Sequence, residues 1–101
     1  MTTLQGHTSQ AEAIARDSIH RLSNEALASV WDDTSKETPT RAVTITRGWL
    51  MDELEMRMKA LDARDAKSPL SFGQASRFDR WLVAECNAAK GEYVSVLPYL
   101  R

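Results

Sequence analysis

The chain has 101 residues, enough for one hydrophobic core of ordinary size and too few for two. Hydrophobic residues make up 43% and charged residues 27%, the balance of a folded chain rather than a disordered one. Thirteen Lys and Arg against fourteen Asp and Glu leave a net charge of −1, which excludes a bulk polycation built to coat nucleic acid or anionic membrane. The single cysteine, Cys86, excludes an internal disulfide and a cysteine-based zinc site. No apolar run approaches the ~20 residues of a membrane span. The first twenty residues carry Glu12, Arg16 and Asp17 and no hydrophobic signal segment, so the expectation is a soluble cytoplasmic protein.

Four glycines and three prolines supply too little turn material for a many-stranded protein. Residues 1–8 read as a flexible polar tail. Ser9-Gln10-Ala11-Glu12 then forms a capping box, in which the serine and glutamate each satisfy an orphan amide of the other's end. Ala11, Ile14, Ala15, Ile19 and Leu22 make the apolar stripe of this first helix. Ser23 caps a second helix, with Leu22 and Leu27 spaced as a hydrophobic staple and with Leu27, Val30 and Trp31 facing inward. Asp32-Asp33-Thr34-Ser35 marks its end.

Thr38-Pro39 signals the start of a third helix, a threonine cap with proline at the first helical position. Val43, Leu50, Leu54, Met58 and Leu61 recur at helical spacing, with Ile45 and Trp49 widening the stripe, which predicts one long helix over about residues 39–65. The β-branched run at residues 42–46 competes as a strand, but the helical period continues past it and no partner strand lies nearby. Gly48, costing about 1 kcal/mol against alanine in mid-helix, marks a close helix crossing. Ser71-Phe72-Gly73-Gln74 offers a second capping box, and Phe78, Trp81, Leu82, Cys86 and Ala89 line a fourth helix that Gly91 ends. Residues 92–101 are too apolar to stay free; they dock on the helices, broken at Pro98. The expected fold is all-α, a compact four-helix bundle in a single domain (1–101), with one long central helix and a docked C-terminal segment.

Catalytic and metal-ligating patterns are missing. His7 and His20 are the only histidines and neither belongs to a ligand spacing. No serine sits in a nucleophile elbow, and the glycines form no phosphate loop. Cys86 reads as a small core hydrophobe. The sequence therefore points to a binding protein with no cofactor, metal or small-molecule substrate.

Charge is distributed unevenly. Residues 1–37 hold Arg16, Arg21 and Lys36 against Glu12, Asp17, Glu25, Asp32, Asp33 and Glu37, a net −3, while residues 38–48 hold Arg41 and Arg47 and no acid. Asp52, Glu55 and Asp62 share one face of the long helix, interrupted by Lys59. These acids read either as a solvated face, with Glu55–Lys59 and Glu53–Arg57 pairs, or as an anionic surface matched to lysines and arginines of a partner. On the second reading Asp32, Asp33, Glu37, Asp52, Glu55 and Asp62 are the candidate contacts. An alternative is a helix-turn-helix DNA-binding regulator, reading bases through Thr40, Arg41, Thr44 and Arg47. A third is a homodimeric adaptor that pairs through Tyr93–Leu100 or through a Met51/Met56 edge.

Arg47-Gly48-Trp49-Leu50-Met51-Asp52-Glu53-Leu54-Glu55 and the later Phe78-Asp79-Arg80-Trp81-Leu82 resemble a motif pair of small proteins of phages and mobile elements. Those carry an R-G-W-[IL]-M-D-E-L-E helix followed by an F-x-x-W-L helix, and Leu22–Leu27 with Val30-Trp31 matches their leading helix. The similarity spans residues 15–85, with a longer stretch between the two motifs here. By size and origin the chain is also similar to anti-CRISPR proteins of the type I-F kind. That resemblance implies a non-enzymatic inhibitor in the bacterial cytoplasm, whose partner is a host protein or ribonucleoprotein complex. It implies acidic side chains placed where target-DNA phosphates would lie on an RNA-guided surveillance complex.

Overall fold

The computed structural model describes residues 2–65, 75–91 and 94–101, with side chains from residue 10 onward. The fold is all-α, with four α-helices: α1 (Thr2–His20), α2 (Asn24–Lys36), α3 (Arg41–Asp65) and α4 (Arg77–Ala88). A 3-10 turn, Leu97–Leu100, follows. No strand occurs among the described residues. Packing divides the chain into two compact units, residues 1–50 and 51–101, with the boundary falling inside α3.

In the first unit, α1 begins at Thr2. The backbone of residues 2–8 is thus helical, and the expected tail and the Ser9 start are both displaced. Glu12 does not serve as the acid of a capping box. Its Oε1 accepts from Arg16 Nε at 3.2 Å and from Trp49 Nε1 at 3.0 Å. Ala15, Ile19 and Leu22 are half-buried, whereas Ala11 is exposed and Ile14 is 63% exposed.

The start of α2 is as expected. Ser23 is extended, and its hydroxyl accepts from the amide of Ala26 at 3.1 Å. The buried face is Leu27, Ala28, Trp31 and Thr34, a one-sided helical stripe, with Val30 half-buried beside it. Burying a leucine the size of Leu27 contributes about 1.5–3 kcal/mol. The helix runs on to Lys36, past the predicted stop near Asp32–Ser35.

Helix α3 confirms the long helix and settles residues 42–46 as helical. Its cap is Thr40 rather than Thr38: Thr40 Oγ1 accepts from the amide of Val43 at 3.2 Å, and the Thr40 amide donates to the Thr38 carbonyl at 2.8 Å. A residue before proline is driven out of the helical region, so Thr38 stays outside and the next threonine closes the turn. Nothing crosses closely at Gly48, where a Cβ would meet no atom within 4 Å.

In the second unit, Leu54 and Met58 of α3 are fully buried, as are Trp81 of α4, Val96 and Leu100, and Ala84 is nearly so. Phe78 packs on Trp81 with ring centroids 5.7 Å apart. The hydroxyl of Ser76 caps α4 by accepting from the Asp79 amide at 3.1 Å. The expected capping box at Ser71–Gln74 lies outside the described residues. Cys86 and Ala89 are exposed, not part of the core face. Five residues at about 100° each carry Cys86 far round the helix from Trp81, whereas Ala84 and Ala88 return to its side. Gly91 takes φ +107°, a left-handed conformation that suits glycine, and its amide donates to the Ala88 carbonyl at 2.9 Å. The C-terminal segment docks as expected, its 3-10 turn packing on α4. Pro98 does not break it. The proline sits in the first turn of the 3-10 helix, where its missing amide leaves no bond unmade.

Candidate interaction surface

The six acids picked from the sequence have different fates. At the C-terminal end of α2, Asp33 and Glu37 are exposed and Asp32 is half-buried. On α3, Asp52 is exposed, and Glu55 pairs with Lys59 at 3.2 Å on the same helix, the pairing expected of a solvated face.

Asp62 is turned to an internal task. Its Oδ2 accepts from the Arg77 amide at 3.1 Å, and its Oδ1 lies 3.5 Å from Arg77 Nη1. Arg77 Nη2 also reaches Asp65 at 2.6 Å. Two carboxylates one turn apart on α3 thus hold the first residue of α4, and one of them satisfies an orphan amide of that helix. This removes Asp62 from the free anionic face. Arg64 Nε donates to the other oxygen of Asp65 at 2.9 Å. That bond above all holds the Asp65 carboxyl below its ordinary range; loss of hydration opposes it, and the charges of Arg64 and Arg77 add smaller effects in the same direction as the bond. The same contact raises the Arg64 guanidinium.

Glu53 and Arg57 are not the solvated pair the sequence predicted. Glu53 is 7% exposed and meets Arg57 Nε at 2.8 Å, with Arg57 itself largely covered. Glu53 directly precedes Leu54 on α3, and the helix turns both inward.

The basic set of the DNA-binding alternative is broken up. Thr40 is the cap of α3, and Arg41 and Thr44 are exposed. Arg47 points into the first unit. Its Cζ lies 3.8 Å from the centroid of a Trp31 ring, and its Nη1 donates to Thr34 Oγ1 and Ser35 Oγ at 2.9 Å each, with the Trp31 carbonyl at 3.4 Å. Both hydroxyls in turn donate to the Trp31 carbonyl, at 2.8 and 3.0 Å. A guanidinium beside the negative end of α2, bonded to its last-turn hydroxyls and stacked on an indole, is a fastening between helices. It is not a side chain held out to read bases. Sequence spacing could not show this, because the partners lie 12 to 16 residues away across a turn.

The adaptor reading loses its C-terminal face as well, since Val96 and Leu100 are buried within the chain; Tyr93 lies outside the described residues. On the other edge, Met51 is half-buried and Met56 is 46% exposed. Among the described residues, no three His, Cys, Asp or Glu side chains gather as a metal site would require, and no helix is long and apolar enough to cross a membrane. Comparison of the chain with protein-family models, curated proteins and solved structures finds no match.

Proposed function

We propose that the chain is a non-enzymatic binding protein, of the phage or mobile-element kind its motifs resemble, that occludes a basic nucleic-acid-binding surface of a host complex. The observation that supports this reading is the arrangement at the end of α2. Arg47, the basic residue nearest that end in the DNA-binding alternative, is bonded inward, while Asp33 and Glu37 stay exposed beside half-buried Asp32. Carboxylates at the negative end of a helix are disfavoured by its dipole, so exposed Asp33 and Glu37 do not serve the stability of α2 through that dipole. Presented to solvent, they match a channel lined by lysine and arginine, where several modest charge-assisted contacts act together.

The partner implied by the resemblance is an RNA-guided surveillance complex of the type I-F kind. The test is target-DNA binding by that purified complex, measured by fluorescence anisotropy with and without the chain. Stoichiometric loss of DNA binding is expected. The Asp33→Lys/Glu37→Lys variant should weaken inhibition by about tenfold at ~100 mM salt, with a smaller difference at ~500 mM. Undiminished DNA binding in the presence of the chain, or equal inhibition by the variant, would refute the proposal.

A further inference from the structure

The outer face of α4 carries a pattern that folding of the chain leaves unexplained. Asp79, Val83, Cys86 and Lys90 are all exposed, Val83 at 62%, and all belong to the second unit. Lys90 lies in the turn that prolongs α4, its amide donating to the Asn87 carbonyl at 3.0 Å. Spacings of four, three and four residues keep the set within a stripe about 60° wide, on the side opposite fully buried Trp81. This is the seam spacing by which one helix packs on another. Asp79 in the first turn and Lys90 beyond the last both suit the helix dipole, but the dipole asks for no valine between them and no shared stripe. Among the described residues, neither the Asp79 carboxylate nor the Lys90 ammonium has an ion-pair partner.

The stripe is complementary to its own reverse. A two-fold axis placed between residues 84 and 85 maps Asp79 onto Lys90 and Val83 onto Cys86. Two copies of α4 laid antiparallel would set the carboxylate of each against the ammonium of the other at both ends. Between the ends, Val83 of each would pack on Cys86 of the other, two small apolar groups that let the helices approach. On the flank, exposed Arg80 and Asn87 of one copy would meet Asn87 and Arg80 of the other. We infer that the outer face of α4 is an isologous homodimer interface, packed at Val83 and Cys86 and held in register by reciprocal Asp79–Lys90 pairs. The occupant is a second copy of this chain because a two-fold contact needs each charge as far from the axis as its opposite, and this stripe meets that need at both ends. The inference does not depend on the inhibitor reading, whose acids lie at the end of α2.

Three helical turns form a contact below the ~1,200 Å² of standard stable interfaces, so the dimer is weak, with a dissociation constant on the order of 10–100 μM. Sedimentation equilibrium of the full chain from about 10 to 500 μM covers that range, under reducing conditions so that no disulfide joins two copies of Cys86. Asp79→Lys and Lys90→Asp should each weaken self-association by about fivefold or more, since each sets like charges together at both ends. An equimolar mixture of the two variants should associate to within about threefold of wild type, because both ends of the mixed pair then join opposite charges. Weakening of α4 through its dipole is common to both variants and is not repaired by mixing, so the recovery reads the interface alone. Val83→Ala, at unchanged circular dichroism, should weaken the dimer by about threefold. A short bis-maleimide should join wild-type chains, and the mixed variants, through Cys86 in higher yield than either variant alone. A chain that stays monomeric at the highest concentration overturns the inference. So does a dimer indifferent to the single exchanges or to Val83→Ala, or one that mixing fails to restore.

Discussion

The guanidinium of Arg47 lies over the indole of Trp31, 3.8 Å from Cζ to the ring centroid, and the same side chain donates to the two hydroxyls that follow in α2. One residue of α3 thereby stabilises the C-terminal turn of α2 in three ways. It places positive charge at the negative helix end, satisfies Thr34 and Ser35, and covers an aromatic face. Arg47→Ala should destabilise the first unit by ~2 kcal/mol, combining cation–π and charge-assisted hydrogen bonds. Arg47→Lys should recover less than half of that, because an ammonium has neither the planar face nor the fork. Urea denaturation followed by tryptophan fluorescence measures both.

Trp49 and Glu12 join α3 to α1 through a bond of 3.0 Å from indole nitrogen to carboxylate. Trp49→Phe keeps most of the apolar surface and removes that donor, for an expected cost of ~1–2 kcal/mol. A double-mutant cycle with Glu12→Gln should return a coupling of at least ~0.5 kcal/mol. Strict additivity of the two substitutions would show that the contact contributes nothing.

The core and the exposed apolar residues should respond very differently to truncation. Leu54 is fully buried, so Leu54→Ala should cost ~2–5 kcal/mol through lost burial and a residual cavity. Ile14 and Val83 are 63% and 62% exposed, and their alanine variants should stay within about 0.5 kcal/mol of wild type. Shifts in thermal melting of the three variants give the comparison directly.

Asp65 should titrate below its ordinary value of 3.8, since Arg64 and Arg77 both favour its ionised form. Ionised Asp65 is favoured by the folded chain, so its contribution to stability is complete above about pH 4 and fades as the pH falls through the lowered folded value. Carboxyl-carbon NMR titration should show the depressed midpoint, and Arg64→Ala should move it back toward the ordinary value. A midpoint unchanged by Arg64→Ala would place the cause elsewhere.

Local chemistry wrote much of this fold into the sequence. Ser23 caps α2 because a serine before a helical stripe can satisfy a free amide. The repeats through Leu50, Leu54 and Met58 required a long helix whatever it packed against. Trp31 and Trp81 were legible as core because each sits on an apolar stripe and is too large to leave outside. The candidate acids were legible only as charges. Asp33 and Asp62 look alike in sequence, yet one faces solvent and the other holds the first amide of α4.

The tertiary structure decided everything that depends on a partner distant along the chain. It turned Arg47 from a candidate DNA contact into a fastening on Trp31, assigned Glu12 to Trp49, buried Glu53 and exposed Cys86. Helix formation answers to residues three and four apart, so a sequence specifies it by itself. The direction a charge faces depends on which helix packs beside it, and only the folded chain brings Trp31 and Arg47 together.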